Sequence, residues 1–559
     1  MGKTTGSHLF TRALQAEGVD TVFGIAGDHI LHLLDVMVDE PFRMIDTRHE
    51  QGAAHMADAY SRLLRRAGVV LSTTPGHANT IPALANAMHS EAPIINVAGA
   101  ADSPNLGRGA MQEFDQVGVA KPVTKGAWQV PSPERIPEYV ALAFRTAMSG
   151  RRGPVHLTIP HDFQSAEVDE QAAERYMPSE YSVPRAVLGD PAQVERAVEL
   201  LGVAERPVIM AGASAGSTAS PEDLQRLVET TRIPVFTEDS ARALVPDSHE
   251  YSMGFGYLPL SKAAQRINEA DVVLLLGRKL DYMVGFGGSP PFAPGAKLIL
   301  VDPSAAEIGR ARSTEVGILG DVGPVITQLA DAAKKKNWAE RTDWVKSLRD
   351  TYNAHQEELA ELAVEKDPIH PMFVSQTLQK FIDRDTALAF DGGDYCHFFR
   401  ASIKQETPYR WLYVSSFGMI GTGLPYAMGA QVAYPDKRVV LLVGDGSFGF
   451  NGMEIDTMIR HNLPVVTVLG NNSIWGIDWQ IQKGLYGRPV WTDLLPTRYD
   501  LMAQGLGAHG EHVTKAAELE PALTRAFGSG KPAVVNVEID QVISPVAEAA
   551  ISRKLGSHG

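Results

Sequence analysis

The sequence predicts an α/β protein built from three doubly wound parallel-sheet domains, and three observations carry that prediction. Strand-length apolar runs recur without alternation, as in Val69-Val70-Leu71, Val272-Val273-Leu274-Leu275-Leu276 and Val439-Val440-Leu441-Leu442-Val443, the pattern of parallel strands covered on both faces. Segments of helical spacing separate them, as βαβ units require. The length of 559 residues suits about three to four domains. An apolar fraction of 44% and 21% charged residues describe an ordinary globular chain.

The elements follow in order. Val22-Phe23-Gly24 is a strand running into the Gly turn Ile25-Ala26-Gly27. Arg43-Met44-Ile45 is strand-like and leads into a helix over 53–62, and Val69-Val70-Leu71-Ser72 is a further strand with a loop after it. Asn79 starts the next helix in this reading, and its residue type suits an N-cap. Val155-His156-Leu157-Thr158-Ile159-Pro160 closes a first domain, 1–165. A polar linker over 166–185 contains the breakers Pro178 and Pro184. The middle domain, 186–335, takes its strands from 207–212, 272–277 and 297–302. Its Gly212-Ala213-Ser214-Ala215-Gly216 does not spell GxGxxG, so it carries little weight as a nucleotide loop. Lys334-Lys335-Lys336 opens a charged helical connector, a third domain covers 366–550, and a tail covers 551–559.

Composition narrows the function classes. A net charge of −15 argues against nonspecific nucleic-acid binding. No apolar run approaches the roughly 18 residues of a membrane span, and Met1-Gly2-Lys3-Thr4-Thr5 opens no signal peptide. The single cysteine, Cys396, excludes an internal disulfide framework and a cysteine-clustered zinc site, and a cytoplasmic location is expected.

The most informative pattern is Gly444-Asp445-Gly446-Ser447, with Asn472 placed 27 residues after Asp445 in Leu469-Gly470-Asn471-Asn472-Ser473. Both polar residues follow apolar strands, 438–443 and 463–469, with helical spacing over 453–460 between them. Open α/β sheets bind ligands at such carboxyl ends. A carboxylate, an amide oxygen and a main-chain carbonyl form a hard oxygen set suited to Mg²⁺. Gly446 permits close backbone approach to phosphate, and Ser447 can donate to it.

This pattern resembles the cofactor signature of thiamine diphosphate (ThDP) enzymes, which implies pyrimidine-binding, central and diphosphate-binding domains in that order. Carried over, the metal set is Asp445, Asn472 and the carbonyl of Ile474. Asp46-Thr47-Arg48-His49-Glu50-Gln51-Gly52-Ala53-Ala54 resembles the segment that supplies the family's activating carboxylate, here Glu50; a helix-start Glu favoured by the macrodipole is the plainer alternative. Glu50 and Asp445 stand about 400 positions apart. The resemblance implies a site completed across a dimer interface, hence a homodimer or homotetramer. Gly27 and Asn79 lie in loops that face the cofactor in relatives. Ser416-Phe417-Gly418-Met419-Ile420-Gly421 resembles the pyrimidine-binding segment, with Gly418 and Ile420 as contacts. Asp391-Gly392-Gly393-Asp394-Tyr395-Cys396 resembles the diphosphate loop, with Tyr395 and Cys396 at its contacting positions.

The branch within the family follows from further segments. Phe448-Gly449-Phe450-Asn451-Gly452-Met453-Glu454 and Arg460-His461-Asn462-Leu463-Pro464 resemble 2-hydroxyacyl-CoA lyases. Met111-Gln112-Glu113-Phe114 resembles the substrate loop of the acetolactate synthase and acyl-CoA branches, with Gln112 as the polar contact. Arg400, Ser552 and Arg553 match places where the acyl-CoA branch holds CoA; a guanidinium fork suits phosphate, although a solvated basic tail explains the last two equally. In the middle domain relatives hold ADP or FAD. The acyl-CoA resemblance favours ADP, through Arg278 and Asp302, with a solvated Arg and a turn-initiating Asp as the alternative. Trp475 departs from the branch, which usually places Tyr there. The implied activity is a ThDP- and Mg²⁺-dependent carbon–carbon lyase cleaving a 2-hydroxyacyl-CoA to formyl-CoA and an aldehyde or ketone. The alternatives are an acetolactate synthase-like 2-oxo acid decarboxylase and carboligase, or an oxalyl-CoA decarboxylase. Glu50 would activate the cofactor, and His49, His77 and Gln112 are candidates for substrate proton handling.

Overall fold

The computed structural model describes residues 2–178 and 186–556. The described residues divide into two compact units: 2–178 together with Val414–Ala433, and the remainder. The expected α/β architecture of three parallel-sheet domains is what the chain adopts.

The first unit begins with β1 (Lys3–Thr5) and contains β2 (Thr21–Gly24), β3 (Arg43–Asp46), β4 (Gly68–Ser72), β5 (Ile94–Ala100), β6 (Ala127–Gln129), β7 (Val155–Pro160) and β8 (Glu167–Asp169). Six of these form a parallel sheet in the order β3-β2-β4-β5-β7-β6. The strands β4, β5 and β7 are buried along their whole length, which is why their sequences do not alternate. Val69, Leu71, Ile95, Val97, Val155 and Leu157 form a core with Phe10, Leu14 and Phe144 from flanking helices. Each such side chain stabilises the fold by about 1.5–3 kcal/mol. The chain crosses over between β2 and β4, and this switch point opens a crevice at their carboxyl ends.

Two readings of this unit change. The start of the expected linker is ordered: β8 pairs antiparallel with β1, and the Glu170–Glu174 helix follows, while 179–185 lies outside the described residues. Asn79 is not a helix N-cap. The helix is Thr74–Ser90, Thr73 is its N-cap and Pro75 sits in its first turn, so Asn79 lies in the second turn.

The second unit carries two sheets. The first combines β9 (Pro207–Ala211), β10 (Val235–Thr237), β11 (Ser252–Phe255), β12 (Val272–Leu276), β13 (Lys297–Asp302) and β14 (Val316–Leu319) in the order β11-β10-β9-β12-β13-β14. The second combines β15 (Ala387–Asp391), β16 (Trp411–Leu412), β17 (Val439–Gly444), β18 (Val466–Asn471), β19 (His509–Val513) and β20 (Ala533–Glu538) in the order β16-β15-β17-β18-β20-β19. Here β15, β17 and β18 are neighbours, and their carboxyl ends deliver Asp391, Gly444 and Asn471 to one edge.

Residues 414–433 lie between β16 and β17 in sequence but pack with the first unit. The Gly423–Ala433 helix lies against the Glu50–Leu64 helix. The Tyr426 hydroxyl donates to Asp58 Oδ2 at 2.9 Å, and Asn86 Nδ2 donates to both, at 2.7 and 3.1 Å. Arg62 Nε donates to Asp58 Oδ1 at 2.7 Å, so this buried carboxylate is fully surrounded. Among the described residues no helix is long and apolar enough to cross a membrane.

Candidate active site

In the first unit the crevice at the ends of β2 and β4 gathers several of the predicted residues. Glu50 is the first residue of its helix, after the extended N-cap His49, whose Nδ1 accepts from the Gln51 N–H at 3.1 Å. Asn79 Nδ2 donates to Glu50 Oε2 at 3.0 Å. The carboxylate packs against Gly76, where a Cβ would meet Glu50 Oε1 at 2.7 Å. A methyl there would push the carboxylate aside, so Gly76, which residue type alone does not single out, helps set where the Glu50 carboxylate lies. Gly27 is in extended backbone, and a Cβ there would strike Thr73 Cγ2 at 2.3 Å, so the two crevice loops touch. Gly418 is exposed with φ +70°, and Ile420 is half-buried.

Gln112 is exposed on the 102–115 loop with φ +57°. The loop ties itself together through Glu113, whose carboxylate accepts from the main-chain N–H of Gly107, of Gly109 at 2.9 Å and of Ala110 at 3.0 Å. Those N–H groups hold the Glu113 carboxyl below its ordinary pKa. His77 is not presented to substrate. It is fully buried, its ring stacks on His156 at 3.9 Å, and its Nε2 meets the Gln116 carbonyl at 3.1 Å. Burial lowers its pKa to about 4.

In the second unit Asp445 is the first residue of the Asp445–Asn451 helix that follows β17, and Asn472 follows β18. The Asn472 side-chain oxygen lies 3.2 Å from both the Ile474 carbonyl oxygen and Asp445 Oδ1. It also accepts from the Ile474 N–H at 3.3 Å. Three converging oxygens repel one another unless a cation or an N–H lies among them. The edge of an octahedral Mg²⁺ shell with oxygens at about 2.0–2.1 Å is about 3.0 Å, close to this spacing. Turning the amide over would place NH₂ against the same two oxygens, yet Asp445 Oδ2 would still be buried without a partner. Burial raises the Asp445 pKa to about 6 against the pull of main-chain N–H groups. The donor chemistry and the orphaned oxygen both fit a hard divalent cation. No cluster of three His, Cys, Asp or Glu offers another metal site among the described residues.

Gly446 is required by close approach: a Cβ there would meet the Trp475 indole at 2.7 Å. Ser447 is buried, and its Oγ faces Gly392 of the loop after β15. Tyr395 and Cys396 turn away from this loop. The Tyr395 ring lies against Gly470 and its hydroxyl donates to the Val468 carbonyl at 3.4 Å. The Cys396 thiol reaches the Asp391 and Leu442 carbonyls at 2.8 and 3.1 Å, and burial pushes its pKa up. Both residues sit on the inner face of the Asp394–Ser402 helix, so the diphosphate-loop role expected for their side chains has no geometric support. A second buried carboxylate, Asp394, takes a hydrogen bond from Ser544 at the start of the C-terminal helix and has its pKa raised to about 6 by burial.

The expected nucleotide and CoA contacts fare differently. Arg278 is buried and engaged: Nη1 and Nη2 each lie 3.1 Å from Asp281, Nη1 donates to the Lys279 carbonyl at 2.6 Å, and Nε is 3.6 Å from Glu238. Asp302 accepts from the Ser304 N–H at 2.8 Å, the turn-initiating alternative. Arg400 is completely buried. Its Nη2 and Nε donate to Asp239 at 2.7 and 3.3 Å, Nη1 contacts His397 Nδ1 at 3.1 Å, and Tyr413 and Phe255 lie over its guanidinium. The fork expected on CoA phosphate is closed on a structural carboxylate. Ser552 and Arg553 are exposed on the Pro545–Gly556 helix, and the Arg553 charge reaches the Tyr257 phenol.

Comparison with known proteins joins these observations. Residues 4–119 match the family described as thiamine pyrophosphate enzyme, N-terminal TPP binding domain, thiamine pyrophosphate being another name for thiamine diphosphate. Residues 194–329 match its central domain and 391–537 its C-terminal TPP binding domain. A probable acetolactate synthase of Mycobacterium bovis is 37% identical over 540 residues, covering 96% of each chain. Oxalyl-CoA decarboxylase of Escherichia coli K12 is 32% identical over 96% of this chain and 95% of its own. A 2-hydroxyacyl-CoA lyase of Arabidopsis thaliana is 31% identical with the same coverage. The chain therefore belongs to the thiamine diphosphate-dependent enzymes, in the group that includes acetolactate synthases, oxalyl-CoA decarboxylases and 2-hydroxyacyl-CoA lyases.

Proposed function

We propose that this protein is an acetolactate synthase-like decarboxylase and carboligase of 2-oxo acids. The observation that carries this over the acyl-CoA lyase first expected is Arg400, the discriminating CoA contact, whose guanidinium is buried on Asp239. The 37% identity to a relative named acetolactate synthase agrees with it. Thiamine diphosphate, when bound, supplies a carbon nucleophile and an electron sink for bonds adjoining a carbonyl.

The chain's own residues divide the remaining work. Asp445, Asn472 and the Ile474 carbonyl would hold Mg²⁺, with Gly446 and Ser447 toward the diphosphate. Glu50, Asn79, Gly418 and Ile420 would hold the pyrimidine end. Glu50 would relay a proton through its carboxylate, and the Asn79 amide fixes Oε2 so that the transfer starts from one geometry. Gln112, exposed on its self-tied loop, offers an amide to a substrate oxygen. A homodimer, in which a second copy supplies the complementary set, is the assembly this reading requires.

A second reading, 2-hydroxyacyl-CoA lyase, keeps one specific support: Arg553, exposed on the C-terminal helix, can still meet a phosphate. The test incubates purified protein with ThDP, Mg²⁺ and either pyruvate or 2-hydroxyisobutyryl-CoA, with products read by mass spectrometry. Acetolactate and CO₂ from pyruvate are expected. Formyl-CoA and acetone from the thioester, with pyruvate untouched, would overturn the proposal in favour of the lyase.

A further inference from the structure

The buried histidine that does not face substrate belongs to a closed hydrogen-bond ring whose proton positions follow from its partners. The Gln116 carbonyl only accepts, so His77 Nε2, 3.1 Å away, must carry a hydrogen. Asn96 Nδ2 only donates, and it lies 2.9 Å from His77 Nδ1 and 3.1 Å from His156 Nδ1. Both Nδ1 atoms are therefore lone pairs, and each imidazole is the neutral Nε2–H tautomer. His156 Nε2 then donates to Thr158 Oγ1 at 2.8 Å, and Thr158 donates to Gln116 Oε1 at 2.8 Å. The ring starts on the Gln116 main chain and ends on the Gln116 side chain. Gln116 Nε2 fixes it to the Thr74 hydroxyl at 2.8 Å and the Gly99 carbonyl at 2.9 Å. Asn96 serves both imidazoles while its own oxygen is buried without a partner. That orphaned oxygen raises the question of what the ring does beyond packing.

Its position says what. No residue from Asp102 to Asp115 is buried, and Gln116 is the first buried one after Ala101. The amino end of the loop is held by Asp162, which accepts from the Ser103 N–H at 2.8 Å and its hydroxyl at 2.6 Å. Glu113 ties the middle to itself rather than to the core. The carboxyl end is therefore anchored through Gln116, four residues after Gln112.

We propose that His77, Asn96, His156 and Thr158 are positioning residues: their ring clamps Gln116 and so holds the 102–115 loop, with Gln112, in one conformation over the carboxyl ends of the first sheet. The clamp stands on geometry alone, while its kinetic consequence rests on Gln112 meeting substrate as read above.

Thr158→Val removes one link at nearly constant volume, and Thr158→Ser restores the hydroxyl. In the full-length holoenzyme, Thr158→Val should speed amide exchange in peptides spanning 103–116 by about tenfold or more, since one lost buried hydrogen bond opens a segment to that degree. Exchange elsewhere in the first unit should stay unchanged, and Thr158→Ser should return it to the parent rate. KM for pyruvate should rise with kcat and ThDP affinity held within about twofold. Unchanged exchange over 103–116, or an equal rise across the whole unit, would overturn the clamp. A selective rise in exchange with KM unmoved would uphold the clamp and remove Gln112 from substrate binding. Should Thr158→Val fail to fold, Gln116→Met breaks the ring from the loop side, with the same expected and overturning results.

Discussion

Arg400 decides between two chemistries, and its burial makes a quantitative demand. Truncation to Ala leaves Asp239 in the interior with the Trp411 Nε1 donor at 2.8 Å but without a counter-charge. Breaking a buried pair in this way costs about 3–5 kcal/mol. Loss of the guanidinium between Tyr413 and Phe255 adds about 0.5–1 kcal/mol for each ring. The retained Trp411 bond offsets part of this, so a net loss of about 4 kcal/mol is expected. A chain of several domains does not unfold in two states, so the readout is the midpoint of the transition that includes the second unit, followed by differential scanning calorimetry. At about 2–4 °C per kcal/mol, Arg400→Ala should lower that midpoint by about 8–16 °C. Arg400→Met combined with Asp239→Asn should recover most of it, because no unpaired charge remains. An Arg400→Ala protein that melts within about 2 °C of the parent, yet has lost binding of CoA thioesters alone, would refute the reasoning and return Arg400 to phosphate binding.

Gly76→Ala should leave stability within about 1 kcal/mol, because the methyl displaces only the end of a flexible side chain, yet turnover should fall about a hundredfold or more as the Glu50 carboxylate moves, measured by steady-state kinetics beside thermal melting. Asp445→Asn should weaken Mg²⁺ binding by about tenfold or more in calorimetric titration, and chelation of the parent should abolish turnover until Mg²⁺ is restored. His77 is neutral in the fold with a pKa near 4 and takes up a proton near 6.5 when unfolded, so its contribution is present above about pH 6.5 and lost as pH falls toward 4. That contribution is about 3 kcal/mol, and His156, shifted in the same direction, adds to it; denaturant titration at pH 7 and pH 4.5 measures the loss, which His77→Gln should reduce.

The sheets and the strand-end positions of Asp445 and Asn472 are legible because their signals are local and ordered. A strand buried on both faces must be apolar throughout, and Asp445 and Asn472 each follow one such strand. Asn79 reads as a helix start, but Pro75 is compatible with a first turn and lets the helix begin five residues earlier, at Thr74. Tyr395 and Cys396 follow the loop after β15, but the sequence does not fix the helix register, and a single residue turns a side chain by about 100° toward or away from the sheet. The partner of Arg400 is hidden from the sequence for a different reason. Its partner Asp239 stands 161 positions away in another domain, and no local pattern announces a pairing of that range. His77 likewise draws its partners from β5, β7 and the helix at Gln116, which only the completed fold brings together.

Cys396 has a practical consequence. It is the only thiol in the chain, fully buried behind β15 and β17, donating to two carbonyls and held in its uncharged form by burial. Alkylating reagents and mild oxidants act on thiolates, so the folded protein presents them with no target. A cysteine introduced on the 102–115 loop would then be the single labelling handle on the molecule. A fluorophore or spin label there would report the loop's motion through turnover without a cysteine-free background having to be built first.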